Sequence, residues 1–148
     1  KKHDSMTSIN IRPFLFQTDY TQVLDLWQSS GQGIHIQRSD QPAEILKKLE
    51  HDPELFMVAY NEERIIGSVI GGFDGRRGMI YHLAVARDYQ NQGIASRLME
   101  EVEDKLRTLG CIRCYLFVTP DNNVAMQFYE NRGWKPLKIR PFAKDLTE

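Results

Sequence analysis

The stretch Ile80–Leu109, IYHLAVARDYQNQGIASRLMEEVEDKLRTL, decides the fold. It opens with an apolar run, Ile80 to Val85, broken only by His82, the pattern of a buried strand. A polar turn, Arg87 to Gln92, follows. Ala95, Leu98, Val102, Leu106 and Leu109 then recur at three- and four-residue spacing, which predicts a long amphipathic helix. Gly93 stands at the entrance of that helix, where the absence of a Cβ lets the backbone come close to something bulky. The first turn of a helix has N–H groups without intrahelical partners, at the positive end of the macrodipole. A strand that runs through a glycine turn into a helix is therefore a place to hold phosphate, or a tight turn with nothing bound.

A second segment lies about one strand further on: Asn122-Asn123-Val124-Ala125-Met126-Gln127-Phe128-Tyr129-Glu130-Asn131-Arg132-Gly133-Trp134. Together with Gln90-Asn91-Gln92-Gly93-Ile94-Ala95 it resembles the GNAT-type N-acetyltransferases, which move an acyl group from acetyl-CoA to an amine. The first segment matches that family's pyrophosphate loop, Q/R-x-x-G-x-G/A, with Ala95 in the last small position. The second matches the family's Asn-x-x-Ala-x-x-x-Tyr-Glu-x-x-Gly-Trp. The resemblance runs from Ile9 onward, so residues 9–148 are expected to form the N-acetyltransferase domain and residues 1–8 an N-terminal arm. Met6 is a candidate native start, with Lys1–Ser5 then added for expression.

The resemblance implies an α/β fold: one mixed, mostly antiparallel twisted sheet with helices on both faces and two central parallel strands splayed apart. It implies that the pantetheine arm of acetyl-CoA, the cosubstrate, lies against the backbone of Leu83, Ala84 and Val85. In the family that strand carries a bulge, which frees backbone groups for the ligand and one N–H to polarise the thioester carbonyl. The backbone of Asn91, Gln92, Gly93, Ile94, Ala95 and Ser96 would cradle the pyrophosphate, with the Ser96 hydroxyl adding a contact. Asn122 matches the family asparagine that meets pantetheine or phosphate. Tyr129 matches the phenol that protonates the leaving thiolate, a role worth about 10²–10⁴ in rate. Without that motif, Phe128, Tyr129 and Trp134 read as packed aromatics.

The base is less explicit. Ribosomal-protein N-terminal acetyltransferases, which the chain resembles in several segments, carry a Glu where this chain has Phe117. Histone-type members carry a Glu where it has Met79. His82 and Tyr81 remain, acting directly or through water; alternatively, His82 is a packed, hydrogen-bonded residue. A lysine with its reference pKa near 10.4 costs roughly 4.6 kcal/mol to neutralise at pH 7, an α-amine about 1–1.4 kcal/mol. The expected acceptors are therefore low-pKa primary amines of small molecules or peptide N-termini, with His82→Ala costing little. Ser29–Ser39 and Asp74–Gly78 are expected to recognise the acceptor, where Arg76 and Arg77 could pair with a carboxylate or be solvated turn residues.

Composition bounds the remainder. The chain has 148 residues, 41% hydrophobic and 26% charged, enough for a core without staples. A net charge of −1 provides no field for nucleic acid or anionic membrane, so neither is an expected partner. No apolar run approaches the ~20 residues that span a bilayer, and the start KKHDSMTS is polar rather than a signal peptide. Cys111 and Cys114 form a C-x-x-C without nearby ligands, so no metal is expected and both read as reduced cytosolic thiols. A cytoplasmic setting follows, with a homodimer one arrangement open to it.

In chain order, the pattern predicts a strand at Ile9–Phe14 and a helix capped by Thr18 or Asp19, with Tyr20, Val23, Leu24 and Trp27 inward. A loop spans Ser29 to Ser39. Asp40 is expected to cap a second helix with Pro42 near its start and Ile45, Leu46 and Leu49 facing the core. Leu55–Tyr60 and Ile65–Phe73 form a hairpin continuing into the central strand. Gly110 ends the long helix, Tyr115–Val118 is a parallel strand, and a short helix from Asn122 or Asn123 stops at Gly133. One or two closing strands are expected in Trp134–Leu146. The competing function is a non-catalytic acyl-CoA-binding module of the same fold. A nucleotide site fits poorly, for G-x-x-x-x-G-K-[ST] and G-x-G-x-x-G are both missing.

Overall fold

Side chains on a strand point alternately to opposite faces, and β3 (Arg64–Phe73) uses both. On one face are Gly67 and Gly71. A Cβ on Gly67 would lie 3.0 Å from Leu98, and one on Gly71 2.7 Å from Val102. The two glycines thus let α3 (Ile94–Thr108) lie directly against the sheet. On the other face, Ser68 accepts a hydrogen bond from Trp27 Nε1 at 2.9 Å, and a Cβ on Gly72 would meet Lys48 Nζ at 3.3 Å. Trp27 belongs to α1 (Phe16–Ser29) and Lys48 to α2 (Pro42–His51), so these helices cover that second face. The sheet is a layer between helices.

This computed structural model describes residues 8–31 and 34–148. Lys1–Phe117 and Val118–Glu148 form two separate units. The first holds the sheet, in the order β1 (Ile9–Pro13), β2 (Phe56–Asn61), β3, β4 (Gly78–Val85) and β5 (Cys114–Tyr115). Neighbours from β1 to β4 pair antiparallel, while β4 and β5, joined by α3, pair parallel. Val58, Ile66, Val69, Leu98, Met99 and Val102 are fully buried, and each such side chain contributes about 1.5–3 kcal/mol.

The long helix buries Ile94, Leu98, Met99, Val102 and Leu106, leaving Leu109 at 46% exposure, so its stripe starts one residue earlier than expected. Its end is closed as expected around Gly110, at φ +96°. There the Gly110 N–H donates to Arg107 O at 3.0 Å and the Cys111 N–H to Leu106 O at 2.9 Å, the pairing of a Schellman motif.

Several local expectations are corrected. Neither Thr18 nor Asp19 caps α1: it begins at Phe16 after Leu15, and no side chain caps it. Asp19 is 1% exposed and lies within the first turn. It accepts the Leu15 N–H at 2.8 Å and the Arg12 guanidinium fork at 2.6 and 3.0 Å. Leu26 replaces Leu24 on the buried face, and on α2 only Ile45 is fully buried while Leu46 is 44% exposed. Asp40 does not cap α2 either, since Gln41 occupies that position. The expected strand Tyr115–Val118 is reduced to Cys114–Tyr115, and Phe117 is 69% exposed.

The second unit holds α4 (Asn123–Asn131). Trp134–Leu146 forms no closing strand. Leu137, Ile139, Phe142 and Leu146 are exposed there, and Pro136 and Pro141 each remove a donor that a ladder would need.

Candidate active site

The ladder between β4 and β5 has only two rungs, Gly78↔Cys114 and Met79↔Tyr115. A Cβ on Gly78 would stand 2.7 Å from Cys111 Sγ, which explains the glycine at this crowded start. Beyond Met79 the outer edge of β4 has no strand partner among the described residues. Its inner edge pairs with β3 through Ser68↔Ala84 and Ile70↔Tyr81, so Val69 faces two residues, His82 and Leu83. That is a β-bulge, and its first residue, His82, has φ +54°. A histidine in this left-handed region costs about 1–2 kcal/mol.

The bulge keeps Tyr81 and His82 on the α1–α2 side of the sheet. The His82 ring meets Trp27 edge-on at 4.6 Å between centroids, and Ser68 Oγ donates to His82 O at 3.4 Å. Its Nε2 lies 3.0 Å from both carboxylate oxygens of Asp40. Asp40 ends a 3-10 turn, Arg38–Asp40, and is 3% exposed. The same carboxylate accepts the Gln37 N–H at 3.0 Å, and the Tyr20 hydroxyl donates to Asp40 O at 2.8 Å. A charge-assisted bond of this kind contributes about 1.5–3 kcal/mol, comparable with the strain at His82.

Tyr81 adjoins His82. Desolvation first, then the negative charges of Asp52 and Asp40, raises the Tyr81 hydroxyl above the usual phenol value and keeps it protonated. A Cβ on Gly72 would lie 3.9 Å from that hydroxyl and 3.3 Å from Lys48 Nζ. Lys48 donates to Gly71 O and to Asp52 Oδ2, the latter at 2.7 Å. Burial nevertheless lowers its ammonium below the ordinary lysine value.

Past β4 the chain turns into α3. The Gln90 side chain donates to Val85 O at 2.9 Å and to Ser30 O at 3.0 Å, tying the turn to the end of β4 and to the loop after α1. The Arg87 Nε–H likewise donates to Ser29 O at 2.8 Å. Asn91 and Gly93 both take the left-handed conformation, at φ +63° and +84°. No side chain caps α3 and no acid sits in its first turn, which leaves the Ile94, Ala95 and Ser96 N–H groups without intrahelical acceptors. A Cβ on Gly93 would find nothing within 4 Å. The helix entrance is open, electropositive and uncapped, and its residue types and conformation fit a pyrophosphate.

The two expected acceptor-recognition segments lie in the first unit. Gln32 and Gly33, within Ser29–Ser39, fall outside the described residues. In the Asp74–Gly78 turn, Asp74 Oδ1 accepts the Arg76 and Arg77 N–H groups at 2.7 Å each. Those bonds hold its carboxyl below the usual range. The Arg77 guanidinium lies 6.0 Å over the Tyr115 ring.

In the second unit, Asn122 caps α4, its side-chain oxygen accepting the Ala125 N–H at 3.1 Å. The Tyr129 ring packs edge-on against Phe128 and Trp134, at 5.2 and 6.1 Å. Burial pushes its hydroxyl up to about 12, so it is a donor through neutral and alkaline pH.

This strand-edge, bulge and helix-entrance arrangement lies within a family match. Residues 19–134 match the model of the Acetyltransferase (GNAT) family. The chain belongs to that family. An acetyltransferase of Pectobacterium atrosepticum is 36% identical over 132 residues, covering 89% of this chain and 92% of that protein. The PaiA N-acetyltransferase of Thermoplasma acidophilum, solved with coenzyme A, shares the fold at a TM-score of 0.77. It is 19% identical and overlaps 90% of this chain and 93% of its own. The NatC complex bound to Gag peptide and CoA gives a TM-score of 0.75 at 23% identity, over 88% and 87%. The protein is an acyltransferase enzyme of the GNAT fold.

The Asp40 carboxylate beside His82 is the contact that sequence reasoning missed. It lies 42 positions from His82, directly before a Pro-led helix, where an aspartate reads as a cap. Its only local signal is the Gln37 N–H that its carboxylate accepts, which any turn aspartate could provide. The cysteines remain free: Cys111 is buried, and burial followed by the charge of Cys111 pushes the Cys114 thiol up to about 11. Among the described residues no group of three His, Cys, Asp or Glu is placed to hold a metal, and no helix is long and apolar enough to cross a membrane.

Proposed function

We propose that residues 9–148 catalyse transfer of the acetyl group of acetyl-CoA to a primary amine of a small molecule or peptide N-terminus, by direct attack in a ternary complex. The observation that carries this reading is the continuous run from the unpaired outer edge of the bulged strand β4 into the uncapped entrance of α3. One element after another presents free backbone groups to a long ligand with an anionic end. Acetyl-CoA supplies an activated thioester. Leu83, Ala84 and Val85 would bind its pantetheine arm through their backbone, and Asn91 to Ser96 its pyrophosphate.

His82 takes the proton that the amine loses as its N–C bond forms and the C–S bond breaks. The thiolate leaves, and that proton balances it as the free thiol. Tyr129, with its hydroxyl at about 12, lies roughly 3.5 units above a thiol near 8.5. Full proton transfer from the phenol would then be uphill by several kcal/mol, so Tyr129 serves as a hydrogen-bond donor to the departing sulfur. Asn122 orders the start of α4, the helix that carries Tyr129. The CoA in the PaiA and NatC structures supports acetyl-CoA as cosubstrate, and the peptide in the NatC structure supports a peptide acceptor. The Asp40–His82 pair favours catalysis over a binding-only module, and the two unbridged thiols suit a reducing cytoplasm.

The test is free-thiol release from acetyl-CoA against amines, amino sugars and peptides with free N-termini. Acetylation of at least one low-pKa amine, with stoichiometric thiol, is expected. Tight CoA binding with no turnover on any acceptor would replace catalysis by the binding-only reading.

A further inference from the structure

We propose that Asp40 is a positioning residue: it fixes His82 as the Nε2–H tautomer and leaves the Nδ1 lone pair to receive the proton of the acceptor amine. The inference rests on acetyl transfer at the β4 edge, and it names the group through which His82 works. Asp40 is buried at 3% exposure, and both its carboxylate oxygens lie 3.0 Å from His82 Nε2. An ionised carboxylate only accepts, so the shared proton resides on Nε2. Nδ1 has no hydrogen-bond partner among the described residues, yet it is not among the buried unpartnered atoms. It is therefore open to water, or to whatever displaces water. One nitrogen is held and the other is free, which orients a base.

The surroundings keep Asp40 in this role. The Gln37 N–H donates to its carboxylate and the Tyr20 hydroxyl to its carbonyl, so the carboxylate is aimed from both sides of the turn. Among the described residues His82 meets Asp40 of the 3-10 turn and the neighbouring Tyr81 ring; Tyr20 on α1 bonds to Asp40, and the charge of Asp52, paired with Lys48 at the end of α2, acts on Tyr81. Trp27 packs edge-on against the imidazole and carries no charge. As a cap of α2, Asp40 would be exposed and turned toward the helix N–H groups; here it is buried and turned toward a histidine 42 residues away. The bulge that puts His82 at φ +54° brings the imidazole to that carboxylate.

The test combines a spectroscopic and a kinetic arm on the full chain. Nitrogen-15 NMR of the wild-type protein with its histidines neutral, at alkaline pH, should show the Nε2–H form of His82, and Asp40→Asn should shift it to a mixture. In steady-state kinetics, Asp40→Asn should lower kcat about 10- to 100-fold while the Kd for CoA stays within twofold. In the His82→Ala background, Asp40→Asn should change kcat less than twofold, because a residue that acts through His82 has nothing left to act on. A purely structural Asp40 would add its cost in both backgrounds. An Nδ1–H form in the wild type, an unchanged kcat in Asp40→Asn, or additive losses in the double variant would each overturn the proposal. If no amine is acetylated at all, acetyl transfer fails as the function, and the wild-type tautomer still decides whether Asp40 orients His82.

Discussion

Placing a side chain at Gly93 should separate coenzyme binding from folding. Gly93 has φ +84° and ψ 5°, and a Cβ there would meet nothing within 4 Å. The protein itself therefore loses only conformational energy on Gly93→Ala, about 1–2 kcal/mol. For a chain of this size that lowers Tm by about 2–8 °C. Gly93→Asn loses less, because asparagine tolerates the left-handed region. Any ligand held against the Ile94–Ser96 N–H groups meets the added side chain. If one charge-assisted hydrogen bond is lost, at about 1.5–3 kcal/mol, CoA binding weakens by roughly 10- to 150-fold, and more if a second is lost with it. Gly93→Val adds β-branching to the same obstruction and should lose both binding and stability. Isothermal titration with CoA, alongside thermal unfolding, distinguishes these effects. Wild-type affinity in a Gly93→Asn variant with near wild-type Tm would refute the phosphate cradle.

Tyr129→Phe should keep CoA affinity and lower kcat by about 10- to 150-fold, the worth of one hydrogen bond to a charged sulfur, and steady-state kinetics with a competent amine would expose a packing-only role as an unchanged kcat. Because its hydroxyl stays protonated to about 12, Tyr129 should add no basic limb to the rate profile below roughly pH 11. Asp19→Asn should lower stability by about 2 kcal/mol, or Tm by about 4–8 °C, because it removes the Arg12 fork. Desolvation opposes the Asp19 charge, but Arg12, the Leu15 N–H and Thr18 together hold its carboxyl below the ordinary 3.8. Its stabilisation is thus complete above that value and fades as pH falls through the lower folded value, so denaturant titrations should show a shallower acid limb in Asp19→Asn.

The β4–α3 unit was legible because one stretch contains an apolar run, a glycine and a 3.6-residue stripe in succession. The β2–β3 hairpin was legible from the short polar segment between its two apolar runs, of which Glu62 and Glu63 form the turn, and the Gly110 stop from its position after the last apolar turn. Other features depend on groups distant in sequence. Asp19 and Asp40 both sit near helix starts, where propensity assigns them to caps; tertiary partners, Arg12 and His82, turn them inward. A bulge in this strand was expected from the family resemblance, but nothing in Tyr81-His82-Leu83 marks its position, since a residue in the left-handed region is expected to be Gly or Asn. Leu116 and Phe117 look like strand continuation, yet the parallel ladder ends at Met79 and Tyr115. The tail resembles a strand in its Leu137–Ile139 alternation, which Pro136 and Pro141 interrupt. His82 reads as an isolated histidine until Asp40 is seen beside it, and the expectation that His82→Ala costs little changes for that reason.

Acceptor choice tests the account most directly. Two peptides of one sequence would be offered with acetyl-CoA at pH 7, one with a free N-terminus and the other blocked there but with one internal lysine. Thiol release and the mass of each product would be followed together. A single histidine held by a carboxylate offers no strongly desolvating pocket for a lysine, and at pH 7 the α-amine is more abundant in neutral form by about 200- to 400-fold. The free-N-terminus peptide should be acetylated faster, with its rate rising along the titration of its own amine. Faster acetylation of the blocked lysine peptide would contradict the account.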